Sequence, residues 1–84
     1  MKNRRVGKFY VTDEMVEEES FVKVLAKIGF VPLRVEHLGV EGRYEYIGIS
    51  PLFNEAKKGY RISTYDVVVN DLGDDVAVSV KEMD

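Results

Sequence analysis

His37 is the residue from which acid–base chemistry would start in this chain of 84 residues, because it is the single histidine and cysteine is absent. Histidine is the side chain whose ordinary pKa lies nearest to neutrality, so a general base would use His37 with a carboxylate such as Glu36 or Glu45. The serines lie in no nucleophile-elbow sequence, and the glycines have neither Walker nor dinucleotide-binding spacing. We therefore predict a protein that is not an enzyme and has no cofactor. A small hydrolase or isomerase built on His37 is an alternative.

Acidic residues cluster in two places. Asp71, Asp74 and Asp75 surround Gly73, and carboxylates in a sharp loop can bind a hard cation. Their spacing does not match a calcium-binding loop, so we interpret them as a hairpin turn and predict no metal. Glu17, Glu18 and Glu19 are typical of a solvated helix start. They could alternatively form an acidic surface for a basic partner.

Arginines and tyrosines occur together on two neighbouring strands that the sequence pattern predicts. Arg34, Arg43, Tyr44 and Tyr46 have the residue types of a platform on which single-stranded nucleic acid stacks. This alternative would also use the basic residues near the start of the sequence, Lys2, Arg4 and Arg5. The net charge of −3 gives a phosphate backbone no long-range attraction, so nucleic acid is a disfavoured partner.

The composition is that of one globular domain over residues 1–84, in which residues 1–5 form a flexible basic segment. Hydrophobic residues make up 45% of the chain and charged residues 32%, which is too much apolar content for a disordered protein. No apolar run is long enough for a membrane span or a signal peptide. The absence of cysteine fits a reducing compartment. We therefore expect a soluble cytoplasmic protein without a membrane partner.

One stretch has a clear helical period. Phe21, Val24, Leu25 and Ile28 recur at helical spacing and form one apolar face. Thr12 and Asp13 are suitable N-cap residues, and Gly29 is suited to the end of a helix. We predict one principal helix over residues 13–28, together with a short helical turn near 51–57.

Alternating apolar residues predict five strands. Their ranges are 6–11, 30–38, 43–49, 62–69 and 76–81. Val31, Leu33 and Val35 are expected to face the core, whereas Pro32 indicates a strand start or a sheet edge because it lacks an N–H group. The glycines of residues 39–42 predict a hairpin turn, as does the acidic cluster of residues 70–75.

These elements predict an α+β fold in which the helix packs on a four- to five-stranded antiparallel sheet, in the order β-α-β-β-β-β. Apolar and aromatic residues occupy both sides of the strand from residue 44 to 49, and exposed apolar surface is typical of an interface. We therefore predict a small protein-interaction module of unknown partner, with a homodimer as one form of that interaction. The expected contact residues are Tyr44, Tyr46, Ile47, Ile49 and Phe53, with Glu17, Glu18 and Glu19 as a second surface.

One further stretch carries a resemblance. The run from Tyr46 to Phe53 resembles small phage or prophage proteins of unknown role, and it implies no role for any residue. A viral or accessory protein is therefore one form that the predicted interaction module could take.

Overall fold

The computed structural model describes residues 5–55 and 62–83, and residues 1–4 of the expected basic segment lie outside this range. The described part contains five strands, two α-helices and one short 3-10 helix. The strands and α-helices are β1 (Val6–Thr12), α1 (Asp13–Glu17), α2 (Ser20–Lys27), β2 (Val31–Leu38), β3 (Arg43–Ile49), β4 (Ser63–Asp71) and β5 (Val76–Glu82), and the 3-10 helix spans Gly39–Glu41 between β2 and β3. The α+β class and the five predicted strands are confirmed.

The predicted single helix over residues 13–28 is wrong, because the chain breaks between α1 and α2. Glu18 has extended backbone angles of −80° and 143°, and it ends α1. The physical reason is that the apolar face of Phe21 continues backwards onto Glu17 and Glu18, so an unbroken helix would turn charged side chains towards the core. The predicted cap is confirmed, since the Thr12 hydroxyl oxygen accepts a hydrogen bond of 3.2 Å from the Met15 N–H.

Gly29 ends the second helix, as its position in the sequence predicts. Its φ of 63° lies in the left-handed region, which side chains disfavour. Its N–H donates to the carbonyl of Ala26 over 3.1 Å and satisfies a group at the end of α2.

The sheet has the strand order β2-β3-β1-β4-β5 and is mixed, which corrects the antiparallel prediction. β1 pairs with β3 in antiparallel register along its whole length. It meets β4 in parallel, through Gly7 with Ser63 and Lys8 with Thr64. After β3, the Ser50 N–H donates to the Arg5 carbonyl over 3.1 Å, next to the start of β1. β4 runs opposite to β3 and in the same direction as β1.

The helices cover one face of this sheet, which we call the helix side; no described helix covers the other, the open face. Phe9 of β1 lies at the centre of the core and is fully buried, with its ring stacked on Tyr46 at 5.5 Å between centroids. Phe21 of α2 meets Tyr46 edge to face at the same distance. Both tyrosine contacts have the geometry that aromatic pairs favour, so this cluster fixes α2 on the sheet.

The segment after β3 closes the end of the core. Phe53 is fully buried and stacks on Tyr65 with 4.4 Å between ring centroids. The hydroxyl of the fully buried Ser50 donates to the carbonyl of Ile28 over 2.5 Å and accepts from the Leu52 N–H over 3.0 Å. Residues 51–53 form a turn and a bend, and residues 54 and 55 are irregular, so the predicted helical turn near 51–57 is wrong there; residues 56 and 57 lie outside the described residues.

Candidate functional site

Strand β2 is exposed on both of its faces. Val31, Leu33 and Val35 are exposed by 56%, 60% and 45%, and every residue from Val31 to His37 is exposed. The prediction that these three side chains face the core is wrong, because α1 packs on β1 and α2 on β5, to one side of β2. The edge position that Pro32 indicates is confirmed, and no described strand pairs with the outer side of β2.

Two opposite charges lie on the open face of β2. Arg34 aligns with Ile47 of β3 and Glu36 aligns with Glu45, after a bulge at Leu33. The Arg34 Nη2 atom lies 3.2 Å from the Glu36 Oε1 atom, and both side chains remain about half exposed or more, at 68% and 48%. Glu36 therefore has a like charge beside it on β3 and a free edge on its other side.

Glu45 is already engaged within the chain. The Tyr10 hydroxyl donates to its Oε2 atom over 2.8 Å, and the Arg43 guanidinium lies 4.3 Å from the centre of the Tyr10 ring. The hydrogen bond to Glu45 raises the pKa of Tyr10, and partial burial adds to the shift. Glu45, Tyr10 and Arg43 therefore form a fixed polar cluster in the middle of the open face.

His37 lies at the end of β2, on the helix side. Its Nε2 atom is 3.2 Å from the Asp13 Oδ1 atom, and its ring stacks on Tyr44 at 4.5 Å between centroids. The carboxylates that the sequence offered for catalysis, Glu36 and Glu45, lie on the opposite face of the sheet. The observed contacts of His37 join the end of β2 to the start of α1.

The predicted contact residues divide into two groups. Ile47 and Ile49 lie on the open face, where Ile49 is 36% exposed. Tyr46 and Phe53 belong to the core, with 9% and no exposure, and Tyr44 is half-buried on the helix side. A partner can therefore reach the two isoleucines, but the aromatic residues stabilise the fold.

The structure places the acidic run Glu17, Glu18 and Glu19 on the surface at the helix break. The four residues of the nucleic-acid alternative are not brought together. Arg34 and Arg43 lie on the open face, whereas Tyr44 and Tyr46 lie on the helix side. A nucleic acid could not contact both pairs on one surface.

A cavity of about 320 Å³ opens between the helix break and the end of the β4–β5 hairpin. Its lining residues are Thr12, Glu14, Met15, Glu18, Ser20, Phe21, Val24, Val69, Asp71 and Val76. His37 is not among them. Within residues 5–55 and 62–83, no three histidine or acidic side chains are grouped to hold a metal ion. In the same ranges, no helix is long and apolar enough to cross a membrane.

The acidic turn after β4 connects the hairpin with α2. The Lys27 Nζ atom lies 3.0 Å from the Asp75 Oδ2 atom. A hydrogen bond from the Val76 N–H lowers the pKa of Asp75, and the hydrogen bond from Lys27 adds to this effect. The Asp71 carboxylate accepts from the Gly73 N–H over 2.9 Å, which closes the turn. These contacts have the geometry of the predicted hairpin turn.

Comparison with known proteins adds no functional information, since no family model, curated protein or solved structure matches the chain. The surface on β2 was missed at the sequence level, because its apolar residues were assigned to the core. Pro32 was the one signal that could have revealed it, since a proline near the start of a strand favours an edge.

Proposed function

We propose that this chain is a non-enzymatic protein-interaction module that acts as a homodimer through strand β2. The observation that supports the proposal is the exposure of three large aliphatic side chains on a strand that is otherwise regularly hydrogen-bonded. Val31 lies on the open face and Val35 on the helix side, while Leu33 is the extra residue of the bulge. Exposed apolar surface of this kind is typical of interfaces.

Neighbouring residues extend this surface on the open face. Val31 aligns with Ile49 of β3, and Ile49 aligns with Val6 of β1, which gives an aliphatic row across three strands. Ile47, two residues from Ile49 on β3, lies on the same face and adjoins this row. A partner that covers β2 would also reach the edge of this row. Fully burying an aliphatic side chain contributes about 1.5–3 kcal/mol, so the half-exposed side chains of β2 would supply part of the free energy of association.

The outer edge of β2 can contribute backbone hydrogen bonds, in addition to the exposed aliphatic side chains. An outermost strand has backbone N–H and C=O groups without a strand partner, and another extended segment can pair with them. A second copy of the chain carries a matching segment. The alternative of nucleic-acid binding has less support, because its arginines and tyrosines lie on opposite faces of the sheet.

Sedimentation velocity from low to high micromolar concentration tests this function. We expect a monomer–dimer equilibrium for the natural sequence and a monomer for Val35→Lys, because a charged residue discourages pairing at an edge. Val22→Lys is the matched control, since Val22 is 71% exposed on α2, and this variant should still dimerise. A natural chain that stays monomeric throughout, or a Val35→Lys variant that dimerises normally, would contradict the proposal.

A further inference from the structure

We infer that two copies of this chain pair their β2 strands in antiparallel fashion about a two-fold axis at Val35, which forms one continuous sheet across both copies. Arg34 of each copy then lies opposite Glu36 of the other. The inference rests on the proposed function, to which it adds the register of the contact. Each step uses the positions of residues on β2 and its neighbours.

The irregular start of β2 limits where another strand can pair. Pro32 has no N–H group, and the bulge at Leu33 interrupts the regular ladder, so the regular part of the edge extends from Arg34 to Leu38. In a symmetric antiparallel pair, one residue lies opposite its own copy, and its neighbours pair in sequence around it.

Charge distinguishes the three registers that are centred on Arg34, Val35 and Glu36. An axis at Arg34 places two arginines opposite each other, and an axis at Glu36 does the same with two glutamates. An axis at Val35 places Arg34 opposite Glu36 at two symmetric positions. Directly opposite like charges destabilise a strand pair and opposite charges stabilise it, so the Val35 register is favoured.

The charge on β3 favours the same arrangement. Glu36 aligns with Glu45, which places two carboxylates side by side on the open face. In the Val35 register, Arg34 of the second copy occupies the position on the other side of Glu36. Within each copy, Arg34 already lies 3.2 Å from Glu36. The two arginines and two glutamates of a dimer would therefore form a group of four in which positive and negative charges alternate.

The helix side of the edge is also compatible with this register. Val35 meets Val35 of the second copy, which covers one exposed aliphatic side chain of each copy. The other outer strand, β5, fits less well, because it carries an exposed Lys81, a residue type that discourages pairing at an edge.

Charge reversal tests whether the ion pairs form between copies. Arg34→Glu leaves two acids and Glu36→Arg leaves two bases on one strand, so each variant alone should dimerise about tenfold more weakly or worse. An equimolar mixture should recover association. Neither variant retains its internal Arg34–Glu36 contact, so the recovery must come from contacts between chains. Lys81→Glu is the control and should dimerise like the natural chain.

Cross-linking tests the register itself, because the chain has no cysteine and an introduced thiol is unique. Val35→Cys should oxidise to a covalent dimer, since opposite residues lie within disulfide range. Arg34→Cys alone should cross-link poorly, whereas its mixture with Glu36→Cys should cross-link well. Cross-linking of Arg34→Cys or Glu36→Cys in preference to Val35→Cys would overturn the register.

The two proposals fail in different ways. A natural chain that dimerises while Val35→Cys does not cross-link, or while the charge-reversed mixture stays dissociated, would overturn the register and leave homodimerisation intact. A natural chain that is monomeric at every concentration would overturn both.

Discussion

Replacement of Ser50 by alanine should destabilise the fold far more than its small change in volume suggests. The Ser50 hydroxyl is fully buried, and it bridges the carbonyl of Ile28 after α2 to the N–H of Leu52 after β3. Alanine cannot form either hydrogen bond, and a buried polar group that loses its partner costs about 1–3 kcal/mol. We expect a loss of about 2 kcal/mol in the free energy of unfolding.

This loss is large for a domain of this length. At roughly 0.05–0.15 kcal/mol per residue, the natural chain should have a total free energy of unfolding of about 4–13 kcal/mol. A loss of about 2 kcal/mol should lower the melting temperature of Ser50→Ala by about 8–16 °C. Urea unfolding followed by circular dichroism measures the change. Ser79→Ala on the exposed side of β5 is the matched control and should change stability by less than about 0.5 kcal/mol. If both variants unfold at the same urea concentration, the buried bridge is not a significant source of stability.

Two further substitutions test other parts of the structure. Gly7→Ala should lower the free energy of unfolding in urea by about 1–3 kcal/mol, because a Cβ atom there would lie 2.5 Å from the buried Tyr65 ring. Gly39→Ala is the control and should cost much less, because a Cβ atom there would lie 3.8 Å from the His37 ring. Equal losses in the two variants would contradict this reasoning. Asp75→Asn should reduce the urea midpoint at neutral pH, because the N–H of Val76 and the ammonium of Lys27 lower the pKa of Asp75 in the folded state. Because the pKa of Asp75 is lower in the folded state, its charge stabilises the fold at pH values above the unfolded-state pKa of about 3.9. This stabilisation disappears as the pH falls through the folded-state pKa of Asp75. The difference between the two proteins should therefore shrink in acid, and a difference independent of pH would refute the assignment.

Local patterns predicted the elements of this fold well, because alternation and helical period are properties of neighbouring residues. The strand formed by residues 43–49 and the helix end at Gly29 have the predicted positions. The helix break had a local signal too, since Glu17 and Glu18 continue the apolar face of Phe21, but the predicted single helix did not use it. The parallel contact of β1 with β4 had no such signal, because it depends on the path of the chain between β3 and β4.

The surface residues were harder to predict than the elements. Alternation places Val35 and Tyr46 on the same side of adjacent strands, but it does not show how far the helix layer extends over that side. Tyr46 lies under Phe21 and is buried, whereas Val35 lies beyond the helices and is exposed. An aromatic residue on a strand fits a core and an interface equally well, which is why Tyr46 was predicted as a contact residue although it is buried.

The central position of β1 has a consequence for the order in which the domain assembles during translation. β1 is made before the other four strands, yet its neighbours in the sheet are β3 and β4, which emerge much later. Its apolar side chains, including Phe9, must wait for those segments before they are buried. The nascent chain therefore exposes its most buried strand until most of the domain has been synthesised, and folding then closes distant contacts in one late step.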